Sequence, residues 1–546
     1  MPSAVPSVAT NPSLAESPSR LEWLVCGTIV SLSILFLLWL GAEVRSLPYI
    51  FDSDEYLHAL PALEMSSAVR AGDLEQLLQS IRAQAFYPPL HPMVVSLSYL
   101  GFGPSLWSSR APSLLLLALA IATVAFAVRQ QVRRSAPAGV AVGVAFAVLT
   151  AVTTPTTLFS SILCMVEPVG LFLVALLIGV LNSTVDPFRS PLRAVAVLAI
   201  VVALTLSKYT FPALVLPGLG LAILGAVPAW RTLFLRSFWY LAVVLGWALA
   251  FLAWCAVSHW PEIERYLFLY PARGSALGLD LQLYYLELLF TQYAWSPLFG
   301  GAIVSLSAFG VSQQWRSAVV RAAFWILLCS LIGMAFVAER SPRHICIILP
   351  ALWFLCGVGA SELHRWFAHR QVRWVSATLV ALSLLAITLS AANSRSWFDR
   401  EVRRTMEYRT GVNSLHETVV AELQPNSGSV LLSRSRIPLG YSFLWQLAAD
   451  RNIPVREVRN TRVIATRKES DRFRMGLDKA GELSAITTKI LDARSATRLV
   501  MVLSNDEWRG EPGARIRGEL CREDRCTVRK LKLATVVTYT RRGGEG

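Results

Sequence analysis

The sequence predicts an α-helical polytopic membrane protein with a C-terminal α/β domain, and three observations lead there. Hydrophobic residues make up 54% of the 546 and charged residues only 16%, at a mean hydropathy of +0.49, which an ordinary soluble domain does not tolerate on its surface. Apolar runs long enough to cross a hydrocarbon core of ~30 Å recur between residues 21 and 392. From Ser394 these runs stop, charge rises, and short strand-like stretches alternate with helical patterns.

The formal charge of +15 does not point to nucleic acid. Arg and Lys fall in short clusters between apolar runs and in the C-terminal third, as cytoplasmic loops and a basic surface in contact with membrane lipid require. Of the eight cysteines, Cys26, Cys164, Cys255, Cys329, Cys346 and Cys356 are scattered in or beside apolar runs, where Cys behaves as a small hydrophobe. Only Cys521 and Cys526 have a neighbour to pair with, and a disulfide there would place the C-terminal domain in an oxidising compartment.

In chain order, residues 1–20 read as a disordered tail rich in Pro, Ser and Ala. It lacks the basic start of a signal peptide, so Leu21 to about Ala42 is a retained first helix. FDSDEYLHALPALEM, residues 51–65, follows. Residues 54–84 read as two amphipathic helices along the membrane surface, broken near Gly72 and with Pro61 in the first. With the acidic loop and YPPLHP (87–92) they make a surface region over 45–92. Residues 93–103 are short for a span and read as interfacial or re-entrant, or as one short crossing.

Further apolar runs lie at 107–128, 136–152, 162–183, 192–207, 211–228, 237–257, 297–312, 318–338, 344–362 and 373–392, giving about eleven spans with the first. With the N-terminus inside, RQQVRR, DPFRSPLR, WRTLFLR, QQWRSAVVR and HRWFAHRQVRW all fall inside, the positive-inside pattern. The opposite face then receives Asp52, Asp54, Glu55, Glu167, Lys208 and ERSPRH (339–344). An odd number of spans puts residues 394–546 on that face too.

Ionisable residues at a membrane edge cost about 2.5–3.5 kcal/mol on insertion scales, so each one asks for a reason. Asp54 and Glu55 are either a solvated loop or catalytic carboxylates, able to take the proton of an attacking hydroxyl. His58 falls on the same helical face as either of them, and Asp52 completes the cluster. Glu55 and His58 could share a divalent metal, but two ligands make a weak match and none is assigned. Glu167 is either a helix-start carboxylate or a second acid of the same pocket. Lys208 either snorkels from a helix end or binds phosphate. Arg340, Arg343 and His344 break the inside rule and so want an anionic partner, acidic loops or a lipid phosphate. His91 reads as a packed or capping residue or as a ligand.

In this order the motifs resemble the GT-C fold of membrane glycosyltransferases, in particular the group holding protein O-mannosyltransferases and lipid A aminoarabinose transferases. The matching residues are Asp54-Glu55-Tyr56 after the first helix and Pro88-Pro89 followed by Arg110-Ala111-Pro112-Ser113. Glu167 before a proline with Lys208-Tyr209 downstream comes next, then Arg343-His344 ahead of Leu349-Pro350. The likeness covers about residues 21–393. It implies an inverting transferase that moves a hexosyl or pentosyl group from a polyprenyl-phosphate carrier to a hydroxyl of a glycan, lipid or protein acceptor. The reaction would take place on the periplasmic or lumenal face of the inner membrane, without a cofactor. Asp54 takes the general-base position, with Glu55 beside it. Asp52, His58, His91, Glu167, Lys208, Arg340, Arg343 and His344 are the expected substrate-binding set. Tyr87 stands where many relatives carry Lys and His344 where they carry Tyr, so phosphate recognition moves to Arg343, Lys208 and His91. A lipid-linked substrate transporter or flippase is the alternative, with Glu167 and Lys208 on its pathway.

Overall fold

The computed structural model describes residues 20–46, 55–85, 87–135, 139–182, 191–225, 230–258, 260–264, 283–291, 297–335 and 342–369, and short segments between 415 and 540. The expected tail, Asp52, Asp54, Arg340 and the run 373–392 lie outside the described residues.

The first apolar run forms α1 (Arg20–Ser46). Then come α2 (Glu55–Arg70), which carries Pro61 inside it, and α3 (Leu74–Arg82). The turn at Gly72 separates them, and Asp73 caps α3 by accepting the Gln76 N–H at 2.8 Å. The two are not a matched surface pair. α3 is mostly exposed, whereas α2 buries Ala59, Leu60, Ala62, Leu63, Met65 and Ala68. Apolar residues on consecutive positions run round α2, so more than one face is covered, part of it by α4 (Leu90–Phe102).

The run expected over 107–128 becomes α5 (Leu106–Ser135), and that over 136–152 becomes α6 (Val140–Val152). The expected span 162–183 is shorter than its apolar run. A short helix α7 (Pro155–Ser161) comes first, and α8 (Glu167–Leu181) starts only at Glu167. Pro168, in the first turn of α8, needs no N–H partner there and favours a start at that point. Next are α9 (Pro191–Ser207), α10 (Thr210–Leu224), α11 (Trp230–Val257), α12 (Trp260–Glu264), α13 (Tyr284–Thr291), α14 (Pro297–Gln314) and α15 (Ala318–Ala335). A 3-10 segment (Pro342–Ile348) leads into α16 (Leu349–His369).

Among the described residues, four helical stretches are long and apolar enough to cross a membrane: Leu106–Arg133, Phe234–Val257, Ala318–Ala335 and Pro342–Phe367. The last is the axis of the bundle, with 94% of its apolar window buried; the window in α11 is only 6% buried. Small residues let α16 sit at the centre. A Cβ on Gly143 of α6 would lie 2.8 Å from the Gly357 carbonyl oxygen, so only glycine permits this approach of the two backbones.

Beyond residue 369 the described segments include a five-stranded sheet of order β2-β1-β3-β5-β4. Its strands are β1 (Val430–Ser433), β2 (Arg462–Val463), β3 (Arg498–Leu503), β4 (Cys526–Lys530) and β5 (Thr535–Thr540). β2, β1 and β3 are parallel, while β3–β5 and β5–β4 are antiparallel. Both strands expected from SVLLS and RLVMVLS are present. Cys521 and Cys526 form a disulfide at the start of β4.

Candidate active site

Charged side chains gather at helix ends, and the up-and-down course of the chain sorts them into two groups. Arg110 lies in the second turn of α5, Glu167 begins α8, Lys208 follows α9, and Arg343 is near the start of the segment before α16. Gln131, Gln314 and Glu362 lie near the opposite ends of α5, α14 and α16 and are joined by hydrogen bonds. Arg110 and Gln131 are separated along α5 by about 32 Å at 1.5 Å per residue, close to the thickness of a hydrocarbon core.

At the first end, Glu55 is held by Arg110. Its Oε2 accepts from Arg110 Nε at 3.0 Å and its Oε1 from a terminal guanidinium nitrogen at 3.3 Å. The two side chains are 2% and 0% exposed. The expectation that Glu55 acts beside Asp54 as a catalytic carboxylate meets a different geometry here, since a bidentate guanidinium engages both oxygens. Three residues along α2, His58 turns toward α4, its ring centroid 4.6 Å from that of His91 and 5.3 Å from that of Tyr87. His91 is fully buried, and both its ring nitrogens lack a hydrogen-bond partner among the described residues.

The second cluster is centred on Glu167. Its Oε1 lies 3.6 Å from Lys208 Nζ and 3.6 Å from Arg343 Nε. The carboxylate is 3% exposed, while the Lys208 and Arg343 side chains are 12% and 21% exposed. Glu167 Oε2 is buried without a hydrogen bond among the described residues. Gly170, one turn into α8, makes the cluster possible: a Cβ there would collide with the Phe211 ring at the start of α10. With glycine, Phe211 packs against α8 and brings Lys208 to Glu167, its ammonium 5.7 Å from the Phe211 ring centroid. Arg343 also points a terminal nitrogen at Met165 Sδ, 3.6 Å away.

Cys164, fully buried, stands three residues before Glu167, a reach of no more than about 11 Å. His344 stays beside Arg343 in sequence, with its Nδ1 3.3 Å from the hydroxyl of buried Tyr285 on α13. Sequence reasoning missed the pairing role of Arg110 and missed Tyr285. A lone arginine opening an apolar run is as costly as Glu167 or Lys208, and that cost was the available signal for Arg110. Tyr285 carried none, because one tyrosine in an apolar helix reads as packing. Among the described residues no three His, Cys, Asp or Glu side chains converge as a metal site.

This arrangement of helices is matched by solved structures. ArnT from Cupriavidus metallidurans bound to undecaprenyl phosphate superposes with a TM-score of 0.62 at 15% identity, over 95% of this chain and 98% of that one. The chain has the GT-C fold of membrane glycosyltransferases. The apo state of the same ArnT gives a TM-score of 0.62 over 93% of this chain and 97% of that one, at 15% identity. The archaeal oligosaccharyltransferase AglB from Archaeoglobus fulgidus, in complex with an inhibitory peptide and a dolichol-phosphate, aligns at 12% identity with a TM-score of 0.48. That match covers 90% of this chain and 71% of that one. No family model and no curated protein matches the sequence.

Proposed function

We propose that the chain is an inverting glycosyltransferase of the cytoplasmic membrane, moving a sugar from a polyprenyl-phosphate carrier to an acceptor hydroxyl. The observation that carries this reading is the Glu167 cluster. Lys208 and Arg343 both approach one buried carboxylate at 3.6 Å and keep their own side chains partly exposed, at the end of the bundle where α2 begins. A sugar on a polyprenyl phosphate is a phosphodiester with one negative charge and fits such a place. The fold likeness to an ArnT bound to undecaprenyl phosphate supports the same carrier chemistry.

In this mechanism Asp54 takes the proton from the acceptor hydroxyl, and the oxygen attacks the anomeric carbon from the face opposite the phosphate. The bond from the anomeric carbon to the phosphate oxygen breaks, and its electron pair leaves on the carrier phosphate. Lys208 and Arg343 stabilise that developing charge, and inversion follows from the single displacement. Arg110 holds Glu55 so that α2 presents its preceding loop, and Asp52, His58 and His91 line the approach. Arg340, outside the described residues, and His344 flank the leaving group beside Arg343. The disulfide at the start of β4 agrees with residues 394–546 lying in an extracytoplasmic, oxidising compartment and the N-terminus in the cytoplasm.

Transfer of radiolabel from a panel of polyprenyl-phosphate sugars tests the reading, in membranes holding wild type or Asp54→Asn. Wild type is expected to label an acceptor, and Asp54→Asn to lose about 10²–10⁴-fold of the rate while inserted and folded. Equal label from both proteins removes Asp54 from its role.

A further inference from the structure

We propose that Tyr209 is a positioning residue whose hydroxyl clamps the segment carrying Tyr87 and His91 to the helix corner carrying Lys208. This rests on the transferase reading, because it divides the site into an acceptor side and a leaving-group side. The hydroxyl donates to the Ala85 carbonyl at 2.7 Å and accepts from the Trp254 indole N–H at 2.9 Å. Tyr209 is 5% exposed, Trp254 9% and Ala85 0%, and Ile263 of α12 packs into the same small cluster. Phe251 sets its ring edge-on to Tyr209 at 5.9 Å.

One oxygen therefore joins three places far apart in sequence: the turn after α3, the start of α10, and the corner between α11 and α12. Ala85 lies two residues before Tyr87, whose ring meets His58, and Lys208 immediately precedes Tyr209. Phenylalanine at 209 would fill the same space. It would leave a buried carbonyl and a buried indole N–H unpaired, so the turn after α3 would lose its fixed distance from α10. The bonds of the Tyr209 hydroxyl to Ala85 and Trp254 involve no reacting group. Their effect is on the alignment of attacking and leaving oxygens, to which displacement rates are steeply sensitive.

The test uses the full chain in proteoliposomes, with Tyr209→Phe, Trp254→Phe and the double variant. Tyr209→Phe is expected to lower kcat on the order of tenfold. KM for the carrier-linked sugar should stay within about twofold, since Lys208, Glu167 and Arg343 remain together. The double variant should be no worse than Tyr209→Phe alone, because the indole bond ends on the same hydroxyl. Unchanged kcat, or a raised KM with kcat intact, overturns the clamp. Hydrogen exchange at residues 83–90 and 260–264 is read in parallel and needs no turnover. Tyr209→Phe should speed exchange in both segments at an unchanged unfolding midpoint, and wild-type exchange in both overturns the proposal. If Tyr209→Phe does not accumulate, Trp254→Phe decides. It keeps the bond to Ala85 and should loosen 260–264 alone, so loosening of both segments or of neither overturns the clamp. A wild type that labels no acceptor defeats the transferase reading, and the exchange comparison still decides the clamp.

Discussion

Two clusters at the same end of the bundle each join a glutamate to cationic side chains, and they are built to opposite ends. The Glu55–Arg110 pair is closed: both side chains are buried, and contacts of 3.0 and 3.3 Å engage both carboxylate oxygens. The Glu167 cluster is open. Its two contacts are 3.6 Å, its cations are partly exposed, and one carboxylate oxygen has no hydrogen bond among the described residues. A closed pair fixes structure, because each charge is already compensated. An open cluster, with its cations partly exposed, leaves room for an anion that arrives later.

Four single substitutions and one double variant sharpen or break this contrast, the single ones from the largest effect to the smallest. Arg110→Ala should prevent accumulation of folded protein, because removing one partner of a buried pair costs about 3–5 kcal/mol. Size-exclusion profiles in detergent would show it. Replacing both partners, Glu55→Leu with Arg110→Met, should recover much of the fold, and recovery with transfer intact would confirm that the pair is structural. Arg343→Ala should leave the profile unchanged and lower transfer on the order of 10²-fold, about 2.7 kcal/mol of transition-state stabilisation. An unfolded Arg343→Ala protein would mean that the two clusters are not different in kind.

Gly170→Ala should fall between the two classes. Its new methyl group meets the Phe211 ring, at a cost of about 1–3 kcal/mol for overpacking, and it moves Lys208 away from Glu167. A lowered melting temperature together with reduced transfer is expected; reduced stability with full transfer would separate Lys208 from the reaction. Leu249→Ala, on the outer face of α11 where Leu249 is 67% exposed, should change the melting temperature least, by no more than about 0.5 kcal/mol in stability. A large effect there would show that α11 meets a protein partner in place of lipid.

Some of the site was legible before the structure. Glu167, Lys208 and Arg343 each stood out because a charge at a membrane edge needs a reason, and the structure brings all three together. Glu55 drew attention for the same reason, but the sequence could not distinguish a carboxylate that works from one already bound. Its partner, Arg110, lies 55 residues away, and nothing local connects them. His58 and His91 were both candidates, but their contact depends on how α2 packs on α4.

Helix limits followed a similar division. Apolar length predicted the limits of α9 and α14 closely, whereas it ran the span over 162–183 through residues that are not helical before Glu167. Hydropathy also could not tell α16 from α11. The window in α11 is the more apolar of the two, 2.1 against 1.8, and it is the one left on the outside. Lipid tails solvate leucine as well as a protein core does, so apolarity does not report burial in a membrane.

The sequence by itself determined that this is a polytopic helical membrane protein with a second, strand-bearing region, and which charges stand at the ends of its apolar runs. Those conclusions rest on segment length and on the cost of charge in hydrocarbon, both of which are local. Only the tertiary structure decided which helix is central, which carboxylate is closed by a guanidinium, and which cations share a single acid. Such decisions depend on contacts of 3–4 Å between residues tens to hundreds of positions apart, set by small-residue crossings and by the Gly170–Phe211 contact. No local pattern encodes them.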